Sequence, residues 1–251
     1  MITRVQHKIY GPISVLTGDQ SVSKYLLDEE TVWEQHVVDF FKKYYVPGTN
    51  IVDVGAFLGF HTVYIANHVV SNGGRVYAIE SQPDIYKVLQ MNTSTFPNVT
   101  TVWGAASHTN GYIRIGVPRD YETFPNPGGC GVVDSEFSHP ELTTMEVPSL
   151  TLDSLDLKNV SLVKLDVEGH EMEALAGALS FLRENRPVLI VELCGGRDRL
   201  EHKDEIDRRI AKICSYGYRL AETHADDYAF VPTTPSECPL DDSLLSQQAR
   251  F

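Results

Sequence analysis

Short apolar runs rich in β-branched residues recur from residue 50 onward, separated by stretches with helical spacing. The runs at 51–54, 75–80, 99–103, 161–166 and 187–193 have the near-continuous apolar character of strands buried on both faces. Between them, residues 59–70, 83–92, 169–183 and 201–216 read as helices. In the last of these, Ile206, Ile210 and Ile213 fall on one apolar stripe. Strand and helix in alternation predict an α/β fold with a doubly wound, mostly parallel sheet. Two further runs at 218–223 and 227–231, parted by a short polar turn, predict a C-terminal antiparallel hairpin.

Three segments stand outside this rhythm. Residues 1–45 read as short strands followed by an amphipathic helix from about Glu30. Residues 117–146 contain Pro125-Asn126-Pro127-Gly128-Gly129-Cys130-Gly131, which suits no regular element, and are expected to form a loop insertion. Residues 232–251 form a polar tail. The expected organisation is a single domain over 1–251 with its core at 46–231.

Composition narrows the partners. The chain has 251 residues, 42% hydrophobic and 22% charged, as in an ordinary globular protein. No apolar run reaches the ~18 to 20 residues that span a bilayer, and no secretory h-region follows the basic start. A net charge of −13 disfavours a nucleic-acid partner, whose phosphates need neutralising. Four cysteines, Cys130, Cys194, Cys214 and Cys238, form no Cys-x-x-Cys pair, so buried free thiols in a reducing cytoplasm are expected.

The chemistry concentrates at strand ends. Asp53-Val54-Gly55-Ala56-Phe57-Leu58-Gly59 lies between a strand and a helix. Gly55 permits a sharp turn, small residues let the backbone approach a ligand, and Gly59 opens a helix whose free N–H groups attract a carboxylate. A dinucleotide turn wants glycine where Phe57 stands, which disfavours an NAD-dependent oxidoreductase. An acidic Asp53 instead suits a cationic ligand, and is expected to face the methionine ammonium of S-adenosylmethionine. Glu80 ends the next strand, where this fold places the carboxylate that holds ribose hydroxyls, and Ser81 follows it. Leu165-Asp166-Val167-Glu168-Gly169-His170-Glu171 ends the fourth core strand, and Glu192 ends the fifth. Clustered acids and an imidazole at one sheet edge are costly unless they bind a cation or move a proton. His61, just inside the helix after the glycine turn, suits either the pocket or solvent.

These strings resemble the FkbM family of methyltransferases. The resemblance runs from about Asn50 to Glu192 and rests on Asp53-x-Gly55-Ala56-x-x-Gly59, Glu80-x-x-Pro83, Ala105-Ala106-Ser107 followed by Gly111, Thr151-Leu152-Asp153-Ser154, and 164–171. It departs at Phe57, where the family carries Asn, and at Ser81, where it carries Pro. The resemblance implies S-adenosylmethionine-dependent O-methylation, with sugars or glycans as frequent acceptors. A cofactor site of Asp53, Gly55, Ala56, Phe57, Gly59, Glu80, Ser81, Ala105 and Asp166 is expected. A hydroxyl needs a base or a metal to lose its proton at neutral pH. Asp166, His170 and Glu192 are the candidates for the base, and Asp166 with Glu192 would suit magnesium or manganese. The 117–146 insertion, with Tyr121, Phe124, Phe137 and His139, is expected to help hold the acceptor. A non-sugar hydroxyl and a non-catalytic binding module remain the alternatives.

Overall fold

A computed structural model describes residues 2–29, 31–70, 73–193 and 203–233. Two strands, β1 (Ile2–His7) and β2 (Gly11–Leu16), pair only with each other. A short helix, α1 (Val22–Glu29), and a longer one, α2 (Gln35–Tyr44), follow. The helix expected from Glu30 thus starts later. Glu34, the residue before α2, holds a left-handed φ of 46°, which no right-handed helix tolerates. Glu30 itself lies outside the described residues.

The core then runs β3 (Asn50–Val54), α3 (Phe60–Tyr64) with a wider π-type turn over Ile65–Val69, β4 (Val76–Glu80), α4 (Pro83–Thr93) and β5 (Val99–Trp103). Next come β6 (Ala105–Ala106), β7 (Gly111–Pro118) and β8 (Leu142–Leu150), which form a separate three-stranded sheet in the order β6-β8-β7. The segment read as a loop over 117–146 is therefore strand at both ends, and only residues 119–141 lie between β7 and β8. The core resumes with β9 (Val160–Leu165), α5 (Glu171–Ala176), α6 (Leu179–Asn185), β10 (Val188–Glu192), α7 (Lys203–Ser215), β11 (Tyr218–His224) and β12 (Asp227–Pro232). One helix was expected over 169–183, but two are present. They part at Gly177, where a Cβ would lie 2.0 Å from the Ser107 carbonyl oxygen. Cys194, Cys238, the first residues of the expected last helix and the tail beyond 233 lie outside the described residues.

The main sheet has the order β11-β12-β10-β9-β3-β4-β5. From β3 the chain winds outward through β4 and β5, then returns to β9 and winds the other way. The winding reverses between β3 and β9, where open α/β sheets bind ligands beyond the carboxyl ends of their strands. The C-terminal hairpin is antiparallel, as expected, and β12 inserts between β10 and β11.

Side-chain alternation assigns the two faces of this sheet. Val52, Val54, Val163, Leu165, Leu189 and Val191 belong to one buried cluster, with Leu175, Phe181 and Ile213 from α5–α7. Ile51, Leu162 and Ile190 belong to a second, with Phe40 and Phe41 of α2. Period two puts Asp53 and Lys164 on that second face, and the register makes them partners across β3 and β9. A charged pair thus sits where an apolar core would continue. Among the described residues, no helix is long and apolar enough to cross a membrane.

Candidate active site

A cleft of about 300 Å³ opens at the reversal point. Its floor is the turn after β3. Gly55 (φ 84°) packs so tightly against the turn after β9 that a Cβ would lie 1.6 Å from the Asp166 carbonyl oxygen. The N–H groups of Gly55 and Ala56 both donate to the Ile79 carbonyl, locking this turn to β4. Phe57 carries a left-handed φ of 49°, a conformation that Asn tolerates and that costs a bulky residue about 1–2 kcal/mol. Its N–H donates to Glu80 Oε2 at 2.9 Å, and the Gln82 N–H donates to Oε1 at 2.7 Å. Glu80 is buried, and that burial pushes its carboxyl up to about 7. Of the residues expected to hold the cofactor, Gly55, Ala56, Phe57, Glu80, Ser81 and Ala105 border the cleft, while Gly59 stands behind it as the N-cap of α3.

The far end is acidic. Asp166 Oδ2 accepts from Lys164 Nζ at 2.6 Å, and Lys164 is 2% exposed. Burial opposes ionisation of Asp166, but Lys164 and a hydrogen bond with Glu192 prevail and hold it below the usual carboxylate range. Glu192 moves the other way, pushed up to about 10 by burial and by the neighbouring Asp166 charge. The opposite shifts and the hydrogen bond between them favour one proton held by the pair. Glu168 joins them: Asp166, Glu168 and Glu192 each present an oxygen, all within 4.8 Å of one another. This oxygen-only set fits a hard divalent cation in its chemistry.

Asp53 corrects the sequence reading. It is wholly buried, receives the Thr62 hydroxyl at 2.5 Å, and does not border the cleft. Its parity in β3 turns it toward Lys164 instead of the ligand, so Asp166 is the aspartate at this end of the cleft. His170 does border the cleft, but its Nε2 lies 3.0 Å from Ser107 Oγ. Burial lowers its pKa, and the charged neighbours that act on it are Glu173 and His108, not Asp166 or Glu192. Of the three candidate bases, Asp166 and Glu192 form one unit and His170 stands apart from it.

Two walls come from outside the core strands. The N-terminal segment contributes Ser21, Val22, Trp33 and Glu34. Glu34 Oε2 pairs with His61 Nε2 at 2.9 Å, so His61 belongs to the cleft. The 119–141 loop contributes Asn126, Gly128, Cys130, Gly131 and Val132. A Cβ on Gly131 would lie 2.8 Å from the Glu168 carbonyl oxygen, so the loop lies directly on the turn after β9. The loop is tied to the core by Gln82 Nε2, which donates to the Pro127 carbonyl at 2.9 Å, and by Tyr121 Oη, which donates to Gln82 Oε1 at 3.1 Å. Tyr121, Phe124, Phe137 and His139 do not border the cleft. His139 is edge-on to Phe124 and stacked with Phe137, so these rings pack on one another. Trp33 and Glu34 carry no signal of their own in the sequence, whereas Lys164 left a trace as a charge inside an apolar strand.

A parallel sheet reversing between β3 and β9, with an antiparallel β12 beside β10 and a glycine turn under the cleft, is the architecture of class I S-adenosylmethionine-dependent methyltransferases. The chain belongs to the FkbM methyltransferase family: the family model for the methyltransferase FkbM domain matches residues 53–220. No curated protein matches the chain. Among solved structures it is similar to methyltransferase FkbM from Methylobacillus flagellatus KT, at 15% identity and a TM-score of 0.49. That match covers 77% of this chain and 50% of the other, so the chain spans half the length of that protein. It is also similar to a SAM-dependent methyltransferase from Aquifex aeolicus, at 15% identity and TM-score 0.46, covering 84% and 94% of the two chains. A third is Aeropyrum pernix fibrillarin with natively bound S-adenosyl-L-methionine, at 12% identity and TM-score 0.42, covering 92% and 98%.

Proposed function

We propose that this methyltransferase acts on oxygen and that its acceptor is a carbohydrate hydroxyl. The observation that carries this reading is the Asp166–Glu192 pair. One ionised and one protonated carboxyl at the end of the cleft offer an acceptor and a donor side by side. Neighbouring hydroxyls of a sugar ring need that combination, and Trp33 adds an aromatic wall for the ring's apolar face. The net charge of −13 argues against a nucleic-acid acceptor. The free thiols of Cys130 and Cys214 suit the cytoplasm.

The cofactor supplies an already activated methyl group, and the protein supplies position and electrostatics. In this reading the Gly55–Ala56–Phe57 turn cradles the methionine end, Glu80 takes the ribose hydroxyls, and Ser81 and Ala105 border the adenosine. Glu80→Ala then weakens S-adenosylmethionine binding by about 10- to 100-fold, equivalent to about 1.5–3 kcal/mol. Ribose hydroxyls donate to the ionised carboxylate, so wild-type affinity rises as the pH climbs through about 7. Calorimetry at pH 6 and pH 8 checks both, and unchanged affinity in Glu80→Ala removes Glu80 from the site.

The substrate class is tested by incubating the protein with methyl-labelled cofactor and a panel of sugars, glycosides and phenols, with mass spectrometry of the products. A base-stable methyl ether on a sugar is expected. Label on phenols alone would replace the carbohydrate reading with the non-sugar alternative. The carboxylate trio favours one second reading, in which a divalent cation activates the hydroxyl. Running the panel in EDTA separates the two. Retained turnover assigns activation to side chains, whereas loss restored by magnesium or manganese assigns it to an ion at Asp166, Glu168 and Glu192.

A further inference from the structure

We propose that Glu34, from the N-terminal segment outside the family match, is the catalytic group that takes the proton of the acceptor hydroxyl. This deepens the O-methyltransferase reading and rests on it. Asp166 Oδ2 is taken by Lys164, and Asp166 and Glu192 are hydrogen-bonded to each other. Those two carboxyls are placed to grip and orient hydroxyls. Glu34 borders the same cleft from the N-terminal segment, near enough for Lys164 and Asp166 to act on its charge. Its Oε2 is fixed by His61 Nε2 at 2.9 Å, while its Oε1 has no hydrogen-bond partner among the described residues. The side chain is 26% exposed, so that oxygen remains open to a ligand.

The surroundings also keep it ionised. Burial works against the charge, but the His61 hydrogen bond and the nearby Lys164 hold Glu34 below the usual carboxylate range. Its backbone adds an independent sign. Glu34 adopts φ 46° and ψ 69°, an uncommon conformation for glutamate, at the entrance to α2. Such strain, about 1–3 kcal/mol, persists where the surrounding structure imposes it, and it gathers at functional sites. Both Glu34 and its neighbour Trp33 line the cleft.

The step balances simply. The acceptor oxygen forms its bond to the methyl carbon, the carbon–sulfur bond breaks, and its electron pair stays on sulfur as a neutral thioether. The hydroxyl proton passes to Glu34 Oε1.

The test uses the full chain and whichever hydroxyl acceptor the wild-type protein methylates. Glu34→Gln keeps size and can still accept from His61. It is expected to lower kcat by about 10²-fold or more, the scale of general-base catalysis, with cofactor Kd and acceptor KM within a few-fold. Glu34→Gly relaxes the left-handed backbone, so it folds even where the Gln variant does not. Formate added to Glu34→Gly should restore part of the lost kcat, which a merely structural role would not permit. A kcat near wild type in Glu34→Gln, or a deficit in Glu34→Gly that formate leaves untouched, overturns the assignment. A non-sugar acceptor would overturn the carbohydrate reading alone, and the same variants then decide Glu34 on that acceptor.

Discussion

Asp166→Asn is expected to lower kcat by about 10²- to 10³-fold while leaving cofactor Kd within a few-fold. The substitution keeps size and one acceptor oxygen but removes the charge that Lys164 holds at 2.6 Å and that sets the proton on Glu192. Without that charge, the single shared proton of the pair is no longer fixed, and the donor–acceptor pattern offered to the substrate is lost. Misorientation of the acceptor oxygen by even about 1 Å costs roughly 10²-fold in an in-line displacement. The expected loss is therefore in turnover. Steady-state kinetics alongside calorimetry separates these quantities. Normal turnover in Asp166→Asn would remove the pair from the reaction and leave the site without its acceptor end.

Lys164→Met is expected to destabilise the protein by about 3–5 kcal/mol, the usual result of removing one partner from a buried ion pair. Lys164 is 2% exposed, and the carboxylates that act on it include Asp166, Asp53, Glu34 and Asp227. Burial alone would depress its pKa, yet these neighbours raise it above the ordinary lysine value. A raised lysine stabilises fully below about pH 10.4 and loses that contribution only at still higher pH. Asp166, with its lowered pKa, stabilises above about pH 3.9 and loses its contribution as the pH falls further. The pair therefore supports the fold across the whole neutral range. In Lys164→Met the carboxylates are left uncompensated, so the deficit should shrink as acid protonates them. Urea denaturation of both proteins at pH 7 and pH 5 reads this directly. Equal stability at pH 7 would mean that the network contributes to position and not to the fold.

How much of this was legible in the sequence depends on the signal each element carries. The core strands were readable because burial on both faces writes a continuous apolar run, as in residues 188–191 of β10. Glu80 and Asp166 were readable because strand ends at a winding reversal have a fixed place in space. The β7–β8 hairpin was not, since its strands are joined by a long irregular stretch and expose Tyr112, Arg114 and Glu146. Asp53 was aimed wrongly, although the parity of Val52 and Val54 around it already pointed to the other face. Trp33 and Glu34 fall where an amphipathic helix is expected from about Glu30, but α2 starts only at Gln35, and long-range packing brings these two residues to the cleft. The break at Gly177 likewise depends on contact with Ser107, distant in sequence.

The placement of β12 between β10 and β11 has a consequence for biosynthesis. As the chain leaves the ribosome, β10 emerges with one edge paired to β9 and the other bare, and it stays so until residues 227–232 are made. That bare edge is an apolar strand with unpaired backbone groups, the kind of surface that recruits other nascent chains. It also ends in Glu192, whose register partner in β12 is Asp227. The strand that flanks Glu192 is therefore added last in vectorial folding, after the glycine turn that β3 and β4 build first.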